Sequence, residues 1–192
     1  MRPDCESALH RELEGHRADM ALRGQIAWVV GGVSTVGTGI AKGLLSAGAT
    51  VIVNSRHSRR LDKLSEDLGS PEQLVTINAS MTPEQAAATV SQAMEMTSSR
   101  LDHVVAHCGV NWWASDAGDS ESSPVGSGGS VMHMPLGEYG AMSSQLGSMH
   151  FAAAQLLMPL LGNESSSSYT FVTSTANSAW GTRSSLAQIN TH

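Results

Sequence analysis

The sequence predicts an α/β protein, a doubly wound parallel sheet of about five strands covered by helices on both faces. Three observations predict it. From residue 26 onward, short apolar runs alternate with amphipathic stretches of helical spacing, the pattern of strands joined by crossover helices. Those runs are nearly continuous in apolar character, as strands buried on both faces must be. The stretch 25–56, QIAWVVGGVSTVGTGIAKGLLSAGATVIVNSR, reads as strand, glycine-rich turn, helix and strand.

The elements follow in order. Residues 1–23 are polar and charged and read as an N-terminal extension, leaving 24–192 as one dinucleotide-binding domain. Residues 26–30 form a buried strand ending at Gly31. Residues 37–47 place Ile40, Ala41, Leu44 and Leu45 on one helical face, and Gly48 ends that helix. Residues 50–53 are a second, β-branched strand. Residues 58–68 form a polar helix with Leu61, Leu64 and Leu68 on one side, and 74–77 a third strand. Thr82 as N-cap with Pro83 at the first helical position predicts a helix over 82–97, its core positions Ala87, Val90, Ala93 and Met94. Residues 101–106 are a fourth strand. A Gly- and Ser-rich insert occupies 111–135, opened by Trp112 and Trp113. A long helix over 136–161 follows, with Met149, Phe151, Ala152, Leu156 and Leu160 as core candidates. Residues 169–173 are a fifth strand.

Composition narrows the function classes. The chain has 192 residues, enough for one domain that buries about 70% of its unfolded surface. Its net charge is -6, with Lys+Arg 11 against Asp+Glu 17, which argues against a nucleic-acid binder needing a basic face. Cys5 and Cys108 stand far apart and suggest neither a disulfide framework nor a zinc site. No apolar run is long enough to span a bilayer, and the charged first twenty residues do not read as a secretory signal. The expectation is a cytoplasmic protein without membrane or nucleic-acid partners. His103 and His107 lie too far apart to chelate one metal, and HRELEGH at 10–16 lacks metalloprotease spacing, so no metal is expected.

The glycine turn carries the functional argument. In GGVSTVG, Gly31, Gly32 and Gly37 let the backbone take positive φ and approach a pyrophosphate. The backbone of Ser34, Thr35 and Val36 would hold that pyrophosphate, with hydroxyl donors on Ser34 and Thr35, just ahead of a helix whose N-terminus favours an anion. Glycines of this kind also serve simply to tighten a strand-to-helix turn. At the end of the second strand, about 20 residues on, an acidic residue would bind the ribose hydroxyls of NAD. Here stand Asn54, Ser55 and Arg56, with Arg59 and Arg60 a turn later. An Arg suits a 2′-phosphate, so NADP is favoured over NAD; the alternative is a solvated basic cluster.

These residues resemble the short-chain dehydrogenase/reductase family, whose fold is Rossmann-like. Its T-G-x-x-x-G-x-G motif lies over 30–37, where Gly31 and Gly37 match while Val30 and Thr35 replace Thr and Gly. Its N-N-A-G corresponds to Ala106-His107-Cys108-Gly109, with only Gly109 kept. Asn78 stands near the family's adenine-contacting Asp, and FAAAQLLMPLL and FVTST are similar to its next helix and strand. The resemblance implies an oxidoreductase transferring hydride between NADP and a small carbonyl or alcohol substrate, with a homo-oligomer allowed. It implies cofactor contacts from Gly31, Ser34, Thr35, Val36, Gly37, Ser55, Arg56, Asn78 and Gly109, and a catalytic Ser174 that polarises the substrate oxygen.

The family's remaining catalytic groups do not match. Its Asn position falls near Gln145 or Leu146, its Tyr on Ala187 or Gln188 and its Lys on Thr191 or His192, and no Tyr-x-x-x-Lys occurs in the sequence. Positioned acid–base catalysis is worth roughly 10²–10⁴-fold in rate. The chain therefore also reads as a catalytically impaired nucleotide-binding or regulatory subunit. Its sheet would take the order 3-2-1-4-5, with the C-terminal part of the family fold missing.

Overall fold

The structure, a computed structural model, describes residues 21–108, 136–162 and 166–172. Five strands, β1 (Ile26–Val30), β2 (Thr50–Ser55), β3 (Leu74–Asn78), β4 (His103–Ala106) and β5 (Ser168–Phe171), form one sheet in the order β3-β2-β1-β4-β5. All four pairings are parallel, for example Trp28 beside Ile52 and Val104, and Ala106 beside Phe171. This is the expected doubly wound, Rossmann-like sheet. The helices are α1 (Thr35–Ser46), α2 (Ser58–Asp67), α3 (Ala86–Met96) and α4 (Leu136–Leu157), the last running into a short 3-10 turn, Met158–Leu160.

The period-two alternation of each strand divides the core into two layers. Ala27, Val29, Val51 and Val53 face α1 and α2, meeting Ala41, Leu61 and Leu64. Trp28, Val30, Ile52, Ile77 and Val104 face α3 and α4, meeting Val90, Ala93, Ala153 and Leu157. Both faces of the central strands are dry, which explains why their sequences are continuously apolar. The chain joins this structure at Leu22, whose N–H donates to the Ala47 carbonyl (2.8 Å) and whose side chain packs on the α1–α2 layer.

Three expectations need correction. The third helix begins at Ala86, not at Thr82. Residues 82–85 form a turn in which the Thr82 carbonyl accepts from Gln85 and Ala86, while the Ser80 hydroxyl accepts from Thr82 N–H. Ala86, rather than Ala87, then faces the core. On α4, Phe151 is 68% exposed, and Leu160 in the 3-10 turn after it is exposed as well, whereas Ala152, Ala153 and Leu157 are buried. That helix is apolar on several sides, so periodicity did not single out its sheet-facing stripe. Among the described residues, no helix is long and apolar enough to cross a membrane. The 111–135 insert and the 1–20 segment lie outside the described residues.

Candidate cofactor site

The site is assembled where β1 ends and α1 begins. Gly31 has φ +70, a left-handed conformation that turns the chain away from the strand. Gly32 is buried, and a Cβ there would lie 2.8 Å from Val29 Cγ1. A Cβ on Gly37 would lie 2.6 Å from three backbone atoms of Gly32, so the first turn of α1 rests directly on the glycine turn. Gly39 has open space around its missing side chain. Ser34 is the N-cap of α1: its hydroxyl accepts from Gly37 N–H (3.1 Å) and its carbonyl from Thr38 N–H (2.7 Å). The N–H groups of Thr35 and Val36 have no carbonyl four residues back within the helix, and both residues are exposed. The result is a helix N-terminus with its first residues exposed at the carboxyl end of the sheet, where an anion is favoured. A cradle that a single Cβ would fill fits the pyrophosphate of a dinucleotide.

The ends of β2 and β3 form the second wall. Ser55 is buried, and its hydroxyl accepts from His57 N–H (3.1 Å), shaping the entry to α2. Arg56 is exposed and its Nε donates to His57 Nε2 (3.1 Å). Asn78 closes the end of β3 onto β2: with its amide oriented by its hydrogen-bond partners, the nitrogen donates to the carbonyls of Ser55 (3.0 Å) and Arg56 (3.2 Å). Beneath them lies Asn54, only 3% exposed. Its Oδ1 accepts from Trp28 Nε1 (3.0 Å) and from Gly31 N–H (3.2 Å), and its Nδ2 donates to the Ala79 carbonyl (3.3 Å).

The end of β4 forms the third wall. The N–H groups of His107 (3.2 Å) and Cys108 (2.8 Å) donate to the Val30 carbonyl, which ties β4 to the end of β1 at the point where the connections diverge to opposite sides of the sheet. His107 Nε2 lies 3.4 Å from the Ser34 hydroxyl, so the cap of α1 touches β4 across that point. Burial holds the His107 imidazole below its ordinary value, opposed in part by a hydrogen bond with the Gly31 backbone. His150 on α4 is lowered too, by burial and then by the charge of His107. The Nδ1 atoms of both rings are buried without a partner. Cys108, in a left-handed conformation at φ +43, is buried and its thiol is pushed up to about 12. Burial, and then the neighbouring Cys108, push Tyr169 up to about 12 as well. At pH 7 these two groups are neutral.

The structure therefore brings Gly31, Ser34, Thr35, Val36, Gly37, Ser55, Arg56 and Asn78 to one end of the sheet. Gly109 and Ser174 lie outside the described residues. His103 is at the opposite end, its ring between Ser168 Oγ (2.9 Å) and Gln25 Oε1 (2.6 Å). No group of three metal-ligating side chains occurs among the described residues.

Residues 25–125 match the model of the family described as short chain dehydrogenase. The chain belongs to that family. The chain is 32% identical over 146 residues to the rhamnolipids biosynthesis 3-oxoacyl-[acyl-carrier-protein] reductase of Pseudomonas aeruginosa, covering 76% of this chain and 51% of that one. Among solved structures it is similar to the Pseudomonas aeruginosa RhlG/NADP active-site complex, at 25% identity and TM-score 0.61, covering 90% of this chain and 65% of that chain. A short-chain dehydrogenase/reductase from Brucella melitensis shares the fold at 20% identity and TM-score 0.66, covering 88% of this chain and 65% of that one. The chain thus spans about half the length of the curated relative and about two thirds of these structures.

Two residues named in the sequence analysis have a part in the site that it does not assign. Asn54 is an amide inside the apolar run TVIVNS, a polar group that burial obliges to find partners. His107 stands in the stretch matching the family's N-N-A-G motif; its place directly after β4 sets it beside the glycine turn.

Proposed function

We propose that this chain binds NADP(H) through the β1–α1 turn and belongs to an oxidoreductase that transfers hydride between the cofactor and a small carbonyl or alcohol substrate. The observation that carries the reading is the N-terminus of α1 seated on Gly32 at the switch point of the sheet. Ser34 to Gly37 would hold the pyrophosphate, and Gly31 would give it room. Arg56 would pair with the 2′-phosphate, which a carboxylate at the end of β2 would repel. Asn78 and Ser55 would border the adenosine end, and Gly109 the nicotinamide end. When bound, the cofactor supplies the hydride; the residues of this chain orient it and exclude water. Ser174 would polarise the substrate oxygen. The NADP complex at 25% identity and the reductase name of the 32% relative support the cofactor and the carbonyl class. The reading places the protein in the cytoplasm, acting on a small molecule without membrane or nucleic-acid partners.

The absence of Tyr-x-x-x-Lys from the sequence favours a second reading, a cofactor-binding or regulatory subunit without its own turnover. Titration with NADPH and NADH, followed by tryptophan fluorescence and by nucleotide absorbance with a panel of ketones and 3-oxoacyl thioesters, separates the two. Binding with NADPH consumption supports the first reading and binding without it the second. Failure to bind either nucleotide overturns both.

A further inference from the structure

We infer that Asn54 is a positioning residue for the cofactor, a clamp that sets the glycine turn and the adenosine wall as one unit. The inference rests on the NADP-binding reading and goes beyond it, because Asn54 does not itself face the cofactor. Its carboxamide joins four segments. Trp28 belongs to β1, Gly31 opens the glycine turn, Asn54 lies near the end of β2, and Ala79 directly follows β3. Each of these strand ends carries one of the proposed contacts: the turn after β1, Arg56 after β2, Asn78 on β3.

The chemistry of the amide matches this place and no other side chain reproduces it. Its oxygen faces two N–H donors and its nitrogen faces a carbonyl, so the partners themselves fix which way the amide points. Asp would present a second oxygen to the Ala79 carbonyl. Ser would be too short, and Leu would fill the volume but leave the buried Trp28 N–H and the half-buried Gly31 N–H and Ala79 carbonyl without this partner. The Gly31 bond is the one that reaches the cofactor site. It draws that N–H inward, onto Asn54, at the residue whose φ of +70 sets the course of the turn. The exposed first residues of α1 follow from that turn. Since Oδ1 is shared between Gly31 and Trp28, a cofactor that pulls on the turn changes the hydrogen bond to the Trp28 indole, although that ring is fully buried.

Three proteins test this: the wild-type chain, Asn54→Leu and Trp28→Phe. The indole N–H of Trp28, assigned by its absence in Trp28→Phe among the four tryptophans, is followed by NMR while NADPH is added to the wild-type chain. It is expected to shift with the same saturation curve as binding. Asn54→Leu, folded by circular dichroism, is expected to lose affinity for NADPH and NADH together by about tenfold or more, in line with leaving these donors unpaired. Trp28→Phe keeps the Gly31 and Ala79 bonds and is expected to bind nearly as wild type. An indole resonance that stays still at NADPH saturation overturns the inference even if Asn54→Leu fails to fold. So does equal loss of affinity in Trp28→Phe and Asn54→Leu, which would make both simple packing defects. A wild-type chain that binds neither nucleotide sinks the NADP reading instead.

Discussion

Gly37 sits against the backbone of Gly32 so closely that a Cβ at position 37 would lie 2.6 Å from the Gly32 carbonyl oxygen. Backbone cannot rotate away as a flexible side chain can, so Gly37→Ala must push α1 off the turn. A destabilisation of about 1–3 kcal/mol is expected, the usual range for overpacking, together with loss of NADPH binding. At Gly39, two residues on, an added Cβ would meet nothing within 4 Å. Gly39→Ala should stabilise the protein by about 0.5–1 kcal/mol through helix propensity and leave NADPH affinity unchanged. Urea midpoints and nucleotide titrations of the two variants give opposite results if close approach, and not glycine content, defines the motif.

Ser34 serves α1 as its cap while touching β4 through His107. Ser34→Ala removes the acceptor for Gly37 N–H and should cost about 1 kcal/mol of stability. Ser34→Asp restores an acceptor and should recover that stability, yet its negative charge stands where the pyrophosphate is proposed to bind. Thermal unfolding should therefore rank Asp above Ala, while NADPH titration should rank them the other way.

Much of the fold was legible because it rests on patterns that local physics enforces. Strands such as AWVV and TVIV are apolar without interruption because both sheet faces are dry, and the 3-2-1-4-5 order follows from reading each strand as one step of a doubly wound sheet. The glycine turn and the helix after it could be placed because a helix start on a glycine turn has few chemical solutions, although the helix begins at Thr35, with Ser34 as its cap, and not at Gly37. What escaped depended on partners distant in sequence. Asn54 finds Trp28, Gly31 and Ala79 only after three strands align. Phe151 faces out although its neighbours face in, because which stripe of an all-round apolar helix meets the sheet is decided by packing. The helix at 82 began late because the Ser80 hydroxyl and Thr82 carbonyl offered a turn that the cap signal did not exclude.

Arg56 and Asn78 meet at the ends of β2 and β3, Asn78 donating to the Arg56 carbonyl at 3.2 Å. If the guanidinium takes the 2′-phosphate, Arg56→Glu replaces a charge-assisted pair with a repulsion present only in NADPH. The expected loss is about tenfold to a hundredfold for NADPH, from charged hydrogen bonds worth about 1.5–3 kcal/mol, with little change for NADH. Arg56→Ala should fall between. Equal loss for the two nucleotides would remove the NADP preference and leave the glycine turn as the site.

His107 and His150 make the stability depend on pH in a fixed direction. Burial lowers both imidazoles below their ordinary value of 6.5, and for His150 the charge of His107 adds to the effect. The unfolded chain then binds protons more readily than the folded one over the interval between the lowered values and 6.5. Stability rises with pH wherever the unfolded state holds more protons. The contribution of the neutral pair is therefore fully present above pH 6.5 and is lost as the pH falls through the lowered folded values. The Ser34 hydroxyl lies 3.4 Å from His107 and the Phe171 ring 5.8 Å from His150, and neither carries a charge that would reverse the sign. Urea midpoints taken from about pH 8 down to about pH 5.5 should fall in the wild-type chain. His107→Asn removes one titrating ring and relieves the other of its repulsion, so the slope should flatten. A slope unchanged in His107→Asn would assign the acid loss to other groups.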